Sequence, residues 1–275
     1  MMSGFRETLK KWVPPVIWRP LSDARYGLQR LSQYPSAYFH SWRQESISRL
    51  AGMKDQHRGE RCFIIGNGPS LRVTDISKLK HEFTFGMNRI YLAFEEWGFP
   101  TSCLVCINSL VIEQVFEDFQ KLKIPKFFSW RSRKLLYPYG EPDEYTHFLF
   151  TTYTGPKFAR DATNRMWEGA TVTYACLQLA FHLGFEQAIL IGVDHSFVVE
   201  GKPNTTVESQ GDDQSHFDPN YFGKGFRWQL PDLDTSEQGY WLAHHAYQAE
   251  GRQVIDATIG GKLNIFPKVD YDSLF

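Results

Sequence analysis

The sequence is expected to form an α/β fold: a Rossmann-like, mainly parallel sheet with helices on both faces, preceded by a basic N-terminal extension. Short apolar runs alternate with segments of helical spacing from residue 61 to the end, the pattern of strands joined by crossover helices. Glycine or asparagine follows several of these runs directly, where a chain must turn. Charge separates the two parts, with ten basic and four acidic residues in 1–58 (about +6) and the balance of a net −1 in 59–275 (about −7).

In order, residues 62–66 are an apolar run ending in Gly66, and 70–80 have helical spacing. Residues 82–86 read as a strand, 90–97 as a helix, 102–107 as a strand, 111–122 as a helix and 126–129 as a strand. A less regular middle follows. Residues 170–183 then read as a helix, 187–192 as a buried strand, 236–250 as a helix and 253–256 as the last strand. Residues 196–234 form a long polar segment, and a loop of that length in a compact domain is more often a functional lid than an idle connection.

The chain has 275 residues, 42% hydrophobic and 22% charged, enough to bury about three-quarters of its unfolded surface. The near-zero net charge argues against nucleic acid as a partner. Four cysteines are too few for a disulfide framework and point to a reducing compartment. Cys103 and Cys106 form a C-x-x-C inside a strand-like run with no second pair, so neither a metal nor a redox centre is expected. No stretch approaches the ~20 apolar residues of a membrane span, so a cytoplasmic protein is expected. In the extension, Trp12 and Trp18 stand beside lysines and arginines, as in a peripheral contact with the inner face of a membrane. Packing of the arm on its own domain or on another subunit of an oligomer is the alternative, because Pro14-Pro15 interrupts any long amphipathic helix.

The strongest local signal is Gly66-Asn67-Gly68-Pro69-Ser70 between the first strand and its helix. Two glycines permit a tight turn, Ser70 suits a cap, and a helix N-terminus offers N–H groups to phosphate. The run is not G-x-G-x-x-G and lacks a P-loop lysine, which disfavours nicotinamide and P-loop sites. Asn88 and Asn108 follow the next two strands, so three amide side chains are expected at one end of three consecutive strands, where α/β sheets bind ligands.

This ordered set resembles the bacterial sialyltransferases of glycosyltransferase family 42, and the related motility accessory factors and 6-hydroxymethylpterin diphosphokinase MptE-like proteins. The run Gly169-Ala170-Thr171-Val172, a helix, then Ile189 through Asp194 continues the likeness, which covers about residues 61–220. The resemblance implies nucleotide contacts from Asn67, Ser70, Asn88 and Asn108, with Thr171 near the donor, and a metal-free transfer in which a histidine takes the acceptor proton. The chain departs where Asp194 is followed by His195-Ser196 in place of a phosphate-stabilising Phe-Tyr, and where Asn220 stands for the histidine base. His216 or His195 must then act as base, and Asp194 completes the set of candidate catalytic residues. The expected function is transfer from a nucleotide-activated sugar, CMP-linked, to a glycan acceptor in surface glycan synthesis, with no cofactor. The alternatives are an ATP- and magnesium-dependent diphosphokinase, for which Asp194, Asp212, Asp213 and Asp218 are candidate ligands, and a nucleotide-binding protein without catalysis. Lys224, Arg227 and Lys262 are candidate phosphate contacts, and the tail 256–264 a candidate wall of the donor pocket.

Overall fold

The computed structural model describes residues 28, 31–153, 155, 157–197 and 201–275. Most of the basic arm, including Trp12 and Trp18, lies outside the described residues, and with it the expected membrane or subunit contact. From residue 34 the extension joins the domain: α1 (Tyr34–Phe39) and α2 (Ser41–Met53) bury Ala37, Trp42 and Leu50 in its cores. Residues 34–53 of the extension are thus packed on the domain that follows.

Eight strands form one sheet in the order β10-β7-β1-β2-β3-β4-β5-β6, every pairing parallel. They are β1 (Arg61–Ile65), β2 (Phe83–Met87), β3 (Cys103–Cys106), β4 (Lys126–Ser129), β5 (Thr146–Thr152), β6 (Arg165–Trp167), β7 (Gln187–Ile191) and β10 (Gln253–Asp256). Strands β5 and β6 are the order hidden in the irregular middle. All seven residues of β5 are buried, so it shows no alternation that would announce a strand.

Successive side chains of a strand leave opposite faces, and β1 sends Cys62 and Ile64 into one core, Phe63 and Ile65 into the other. The one-turn α3 (Phe94–Trp97) precedes β3, and α4 (Ser109–Lys121) contributes Val111, Ile112 and Phe119 to the Phe63 side. The one-turn α5 (Arg133–Leu136) follows β4. On the Cys62 side lie α6 (Val172–Leu183) and α7 (Leu233–Gln248), with Tyr174, Leu179, Ala243 and Tyr247. Helix α6 is buried from Thr173 to Leu183, as its almost uninterrupted apolar sequence requires, and it stops at Gly184, whose φ of 102° suits glycine.

Two expectations change in detail. Residues 70–80 form two short 3-10 turns, Pro69–Val73 and Ile76–Leu79, rather than an α-helix, and 90–97 begin as another, Ile90–Ala93. The polar segment 196–234 contains an antiparallel hairpin, β8 (Thr206–Glu208) with β9 (Arg227–Gln229).

Candidate functional site

The chain runs outward from β1 to β6 in one direction and from β7 to β10 in the other, so the topological switch lies between β1 and β7. Ligands of open parallel sheets bind beyond the strand ends at such a point. A cleft of about 900 Å³ opens there and extends along the carboxyl edge as far as β6.

The register pairs Ile65 with Ile191 and so sets Gly66 against Gly192. A Cβ on Gly66 would lie 2.1 Å from the Gly192 carbonyl oxygen, and one on Gly68 would lie 1.8 Å from Asp194 Oδ2. Gly66 lets two backbones approach closely, and Gly68 leaves room for the Asp194 carboxylate. Asp194 Oδ1 accepts from Ser70 N–H at 3.1 Å and Oδ2 from Ser70 Oγ at 2.7 Å. This corrects the expected phosphate cradle. The Ser70 N–H is already used, the turn behind it is one short 3-10 helix, and the adjacent carboxylate repels an anion. Gly66, Asn67 and Gly68 line the cleft; Pro69 and Ser70 stand behind it. Asp194 is committed to holding the turn. The tail supports it from the far side: Val193 N–H donates to Thr258 Oγ1 at 3.2 Å and Lys262 N–H to the Asp194 carbonyl at 2.9 Å. It braces the pocket without lining it.

All three asparagines line the cleft, but they are not equivalent. Asn108 Oδ1 caps α4 by accepting from Leu110 N–H at 2.9 Å. The Oδ1 atoms of Asn67 and Asn88 are buried and have no partner among the described residues. A buried acceptor without a donor costs roughly 1–3 kcal/mol, which a ligand donor offsets. Asn88 is held in the left-handed region, φ 49°, and Ala170, His195 and Asn204 on the same walls share that conformation. Strain of this kind collects at functional sites. Thr171 caps α6 through Thr173 N–H and faces Tyr240 Oη at 3.4 Å.

Both candidate histidines line the cleft and both pair with a carboxylate. His216 Nδ1 is 2.7 Å from Asp213 Oδ2, and its ring stacks on Tyr221 at 4.0 Å and 8°. The segment carrying it is pinned: Arg72 donates to the carbonyls of Phe217 (2.8 Å) and His216 (2.9 Å), and Phe217 N–H donates to the Asn67 carbonyl at 2.8 Å. His216 therefore needs no loop closure to reach the wall. His195 Nε2 lies 2.9 Å from Glu237 Oε1 on α7.

The far end of the cleft holds residues that the sequence did not single out. Arg131 follows β4, Thr151 to Tyr153 end β5 and Glu168 follows β6. Glu168 accepts from Thr151 Oγ1 at 2.6 Å and from Arg131 at 2.7 Å. The one local clue was a carboxylate directly before Gly169-Ala170 at a strand end. Arg131 is the sole Lys or Arg on the described walls, against Glu168, Asp194 and Asp232. Lys224, Arg227 and Lys262, the expected phosphate contacts, are not on them, and Arg227 pairs with Glu113. The four cysteines are buried free thiols, and burial raises each thiol pKa.

The model of one family, described as 6-hydroxymethylpterin diphosphokinase MptE-like, matches residues 38–200. The chain belongs to the MptE-like family. A solved MAf glycosyltransferase from Magnetospirillum magneticum AMB-1 is similar at 16% identity and a TM-score of 0.49, over 96% of this MptE-like chain and 43% of that one. The chain thus spans less than half the length of that protein. No curated protein matches the sequence. Among the described residues no helix of this MptE-like protein is long and apolar enough to cross a membrane.

Magnesium, the ion of the diphosphokinase alternative, can be tested against the donors. Asp194 is held by Ser70, Asp213 by His216 and Ser215, Glu168 by Arg131, and Asp232 caps α7. Asp218 accepts from Asn220 N–H, Asp212 is exposed and off the cleft walls, and no three His, Cys, Asp or Glu among the described residues are grouped to hold a metal. A resident divalent ion does not fit this donor set.

Proposed function

We propose that the cleft binds a nucleotide-activated sugar and that the chain transfers the sugar to a hydroxyl of a glycan, with CMP as the leaving nucleotide. The observation that carries this reading is the pair of unpartnered amide oxygens of Asn67 and Asn88, on the same cleft as the Asp213–His216 pair. Acceptors left without partners ask for a ligand rich in donors, and a nucleoside supplies them from its ribose hydroxyls and base amino group.

In this mechanism Asp213 holds the His216 proton on Nδ1, so Nε2 is the lone pair that takes the acceptor hydroxyl proton. The hydroxyl oxygen forms the new bond to the anomeric carbon while the bond from that carbon to the phosphate oxygen breaks, and CMP leaves with the electron pair. Charge supports a monophosphate leaving group. With one guanidinium against three carboxylates on its walls, the cleft offers little to balance a pyrophosphate. ATP-dependent diphosphoryl transfer lacks such support here, because it depends on a divalent ion that these donors do not fit.

A thermal-shift comparison of CMP, CDP and ATP, each with and without magnesium, tests the reading. CMP should stabilise the protein without magnesium, and Asn88→Ala should weaken that response by about tenfold in concentration. His216→Asn should keep the CMP response and lose about 10²–10⁴ in turnover. Stabilisation by ATP with magnesium alone, or an unchanged CMP response in the Asn67, Asn88 and Asn108 triple alanine variant, sinks it.

A further inference from the structure

The cleft is larger than its asparagine end requires. At about 900 Å³ it sits near the top of the ~300–1,000 Å³ range of small-molecule sites. The end beyond β4, β5 and β6 has its own chemistry. Glu168 is 6% exposed and lies in a Thr151–Glu168–Arg131 network. Burying the Glu168 carboxylate against a half-exposed Arg131 adds little net stability, so the pair's presence at a cleft wall calls for another reason. The turn that follows, Gly169 (φ 51°) and Ala170 (φ 56°), places a non-glycine residue in a costly conformation beside it. Arg131 spends Nη2 on Glu168 and Nε on Ser129, while Nη1 has no protein partner among the described residues.

A second network stands alongside. Asn204 Nδ2 donates to Tyr153 Oη at 2.9 Å and to Asp232 Oδ2 at 3.2 Å, and Tyr153 Oη is 3.1 Å from the same carboxylate oxygen. Burial, foremost, pushes the Tyr153 hydroxyl up to about 12, so it stays a donor at neutral pH. Trp228 on β9, stacked on Phe222 at 5.2 Å, adds an aromatic wall. Paired donors and acceptors together with an aromatic surface match a sugar ring, which presents hydroxyls at its edge and C–H groups on its face. Arg131 and Glu168 cancel in charge, and Asp232 is left negative, so an acidic sugar is disfavoured.

We propose that the β4–β6 end of the cleft is the acceptor subsite and that it takes a neutral, polyhydroxylated sugar ring, with hydroxyls on Arg131, Asn204 and Asp232 and the ring face toward Trp228. This rests on the nucleotide-sugar reading of the other end. Saturation-transfer NMR on the full chain, with millimolar methyl galactoside, methyl N-acetylglucosaminide and N-acetylneuraminic acid as probes, tests it beside the CMP thermal shift. At least one neutral glycoside should give transfer and the acidic sugar none. Asn204→Ala and Arg131→Lys should each cut the signal about fivefold, the loss of one hydrogen bond, and keep the CMP shift. Asp232→Asn keeps a side-chain oxygen to cap α7 and should likewise lower the sugar signal while keeping the CMP shift. Asn88→Ala should lose the CMP shift and keep the sugar signal. CMP binding without any sugar signal, a signal indifferent to Asn204 and Arg131, or preference for the acidic sugar overturns the subsite and leaves the donor reading standing. If neither CMP nor sugar binds, both readings fall.

Discussion

The two ends of the cleft are built from opposite materials. At β1 to β3 the walls are glycine backbone and uncharged amides, two of whose oxygens lack partners among the described residues. At β4 to β6 they are charged or hydroxylic side chains, each with partners in the protein. The first end is incomplete until something binds. The second is internally satisfied and keeps spare donors. Incomplete amides offset their desolvation only with a ligand of fitting pattern, whereas a neutralised ion pair gives position without demanding a particular guest.

Replacing Gly66 with alanine should produce the largest effect. The new Cβ meets the Gly192 carbonyl at 2.1 Å, a backbone atom that cannot rotate away, so a loss of about 3 kcal/mol or more is expected from urea unfolding. A loss under about 1 kcal/mol there means the β1–β7 approach is loose, and the contrast between a backbone-built end and a side-chain-built end fails.

The charged end is carried by β5, and a pH series probes the buried amino end of that strand. His147 is 3% exposed, and burial first, then the charges of Arg49 and Lys126, hold its pKa at about 4 rather than 6.5. Below pH 6.5 the unfolded imidazole gains a proton that the folded one refuses until about 4. Stability therefore falls with pH across that window, by at most on the order of 3 kcal/mol. His182, also lowered chiefly by burial, adds to the same trend. In His147→Phe the drop between pH 7 and pH 4.5 should shrink by roughly 2 kcal/mol. Equal slopes in both proteins remove the assignment.

The smallest effect separates the asparagines from one another. Asn108→Ala removes the α4 cap and should cost about 1 kcal/mol, with Asn108→Ser restoring most of it. Asn67→Ala discards an unpartnered oxygen and should cost less than that in the free protein, while Asn88→Ala also loses the bond of its amide to Tyr221 and should fall between the two. If all three lose stability alike, the uncharged end is a scaffold rather than a site in waiting.

Much of the uncharged end was legible in the residues. Gly66-Asn67-Gly68, Asn88 and Asn108 each follow an apolar run, and the turn after a strand is a local event that composition announces. The charged end was not. Strand β5 hides because every residue is buried, and β6 is only three residues long. Glu168 and Arg131 are ordinary surface types until the sheet order sets their strand ends on either side of β5, within reach of each other. Ser70 looked like a helix cap facing phosphate, and across 124 positions it is instead the partner of Asp194.

By itself, then, the amino-acid order determined the alternation of strands and crossovers, the glycine turn and the amides at the strand ends, because each depends on neighbours within a few residues. Tertiary structure alone decided which amides stay unpartnered, that Asp194 locks the turn, and that His216 meets Asp213 on the cleft wall. Those outcomes depend on strand order and register, through which residues distant in sequence compete for the same donors and acceptors, and no local periodicity records that competition.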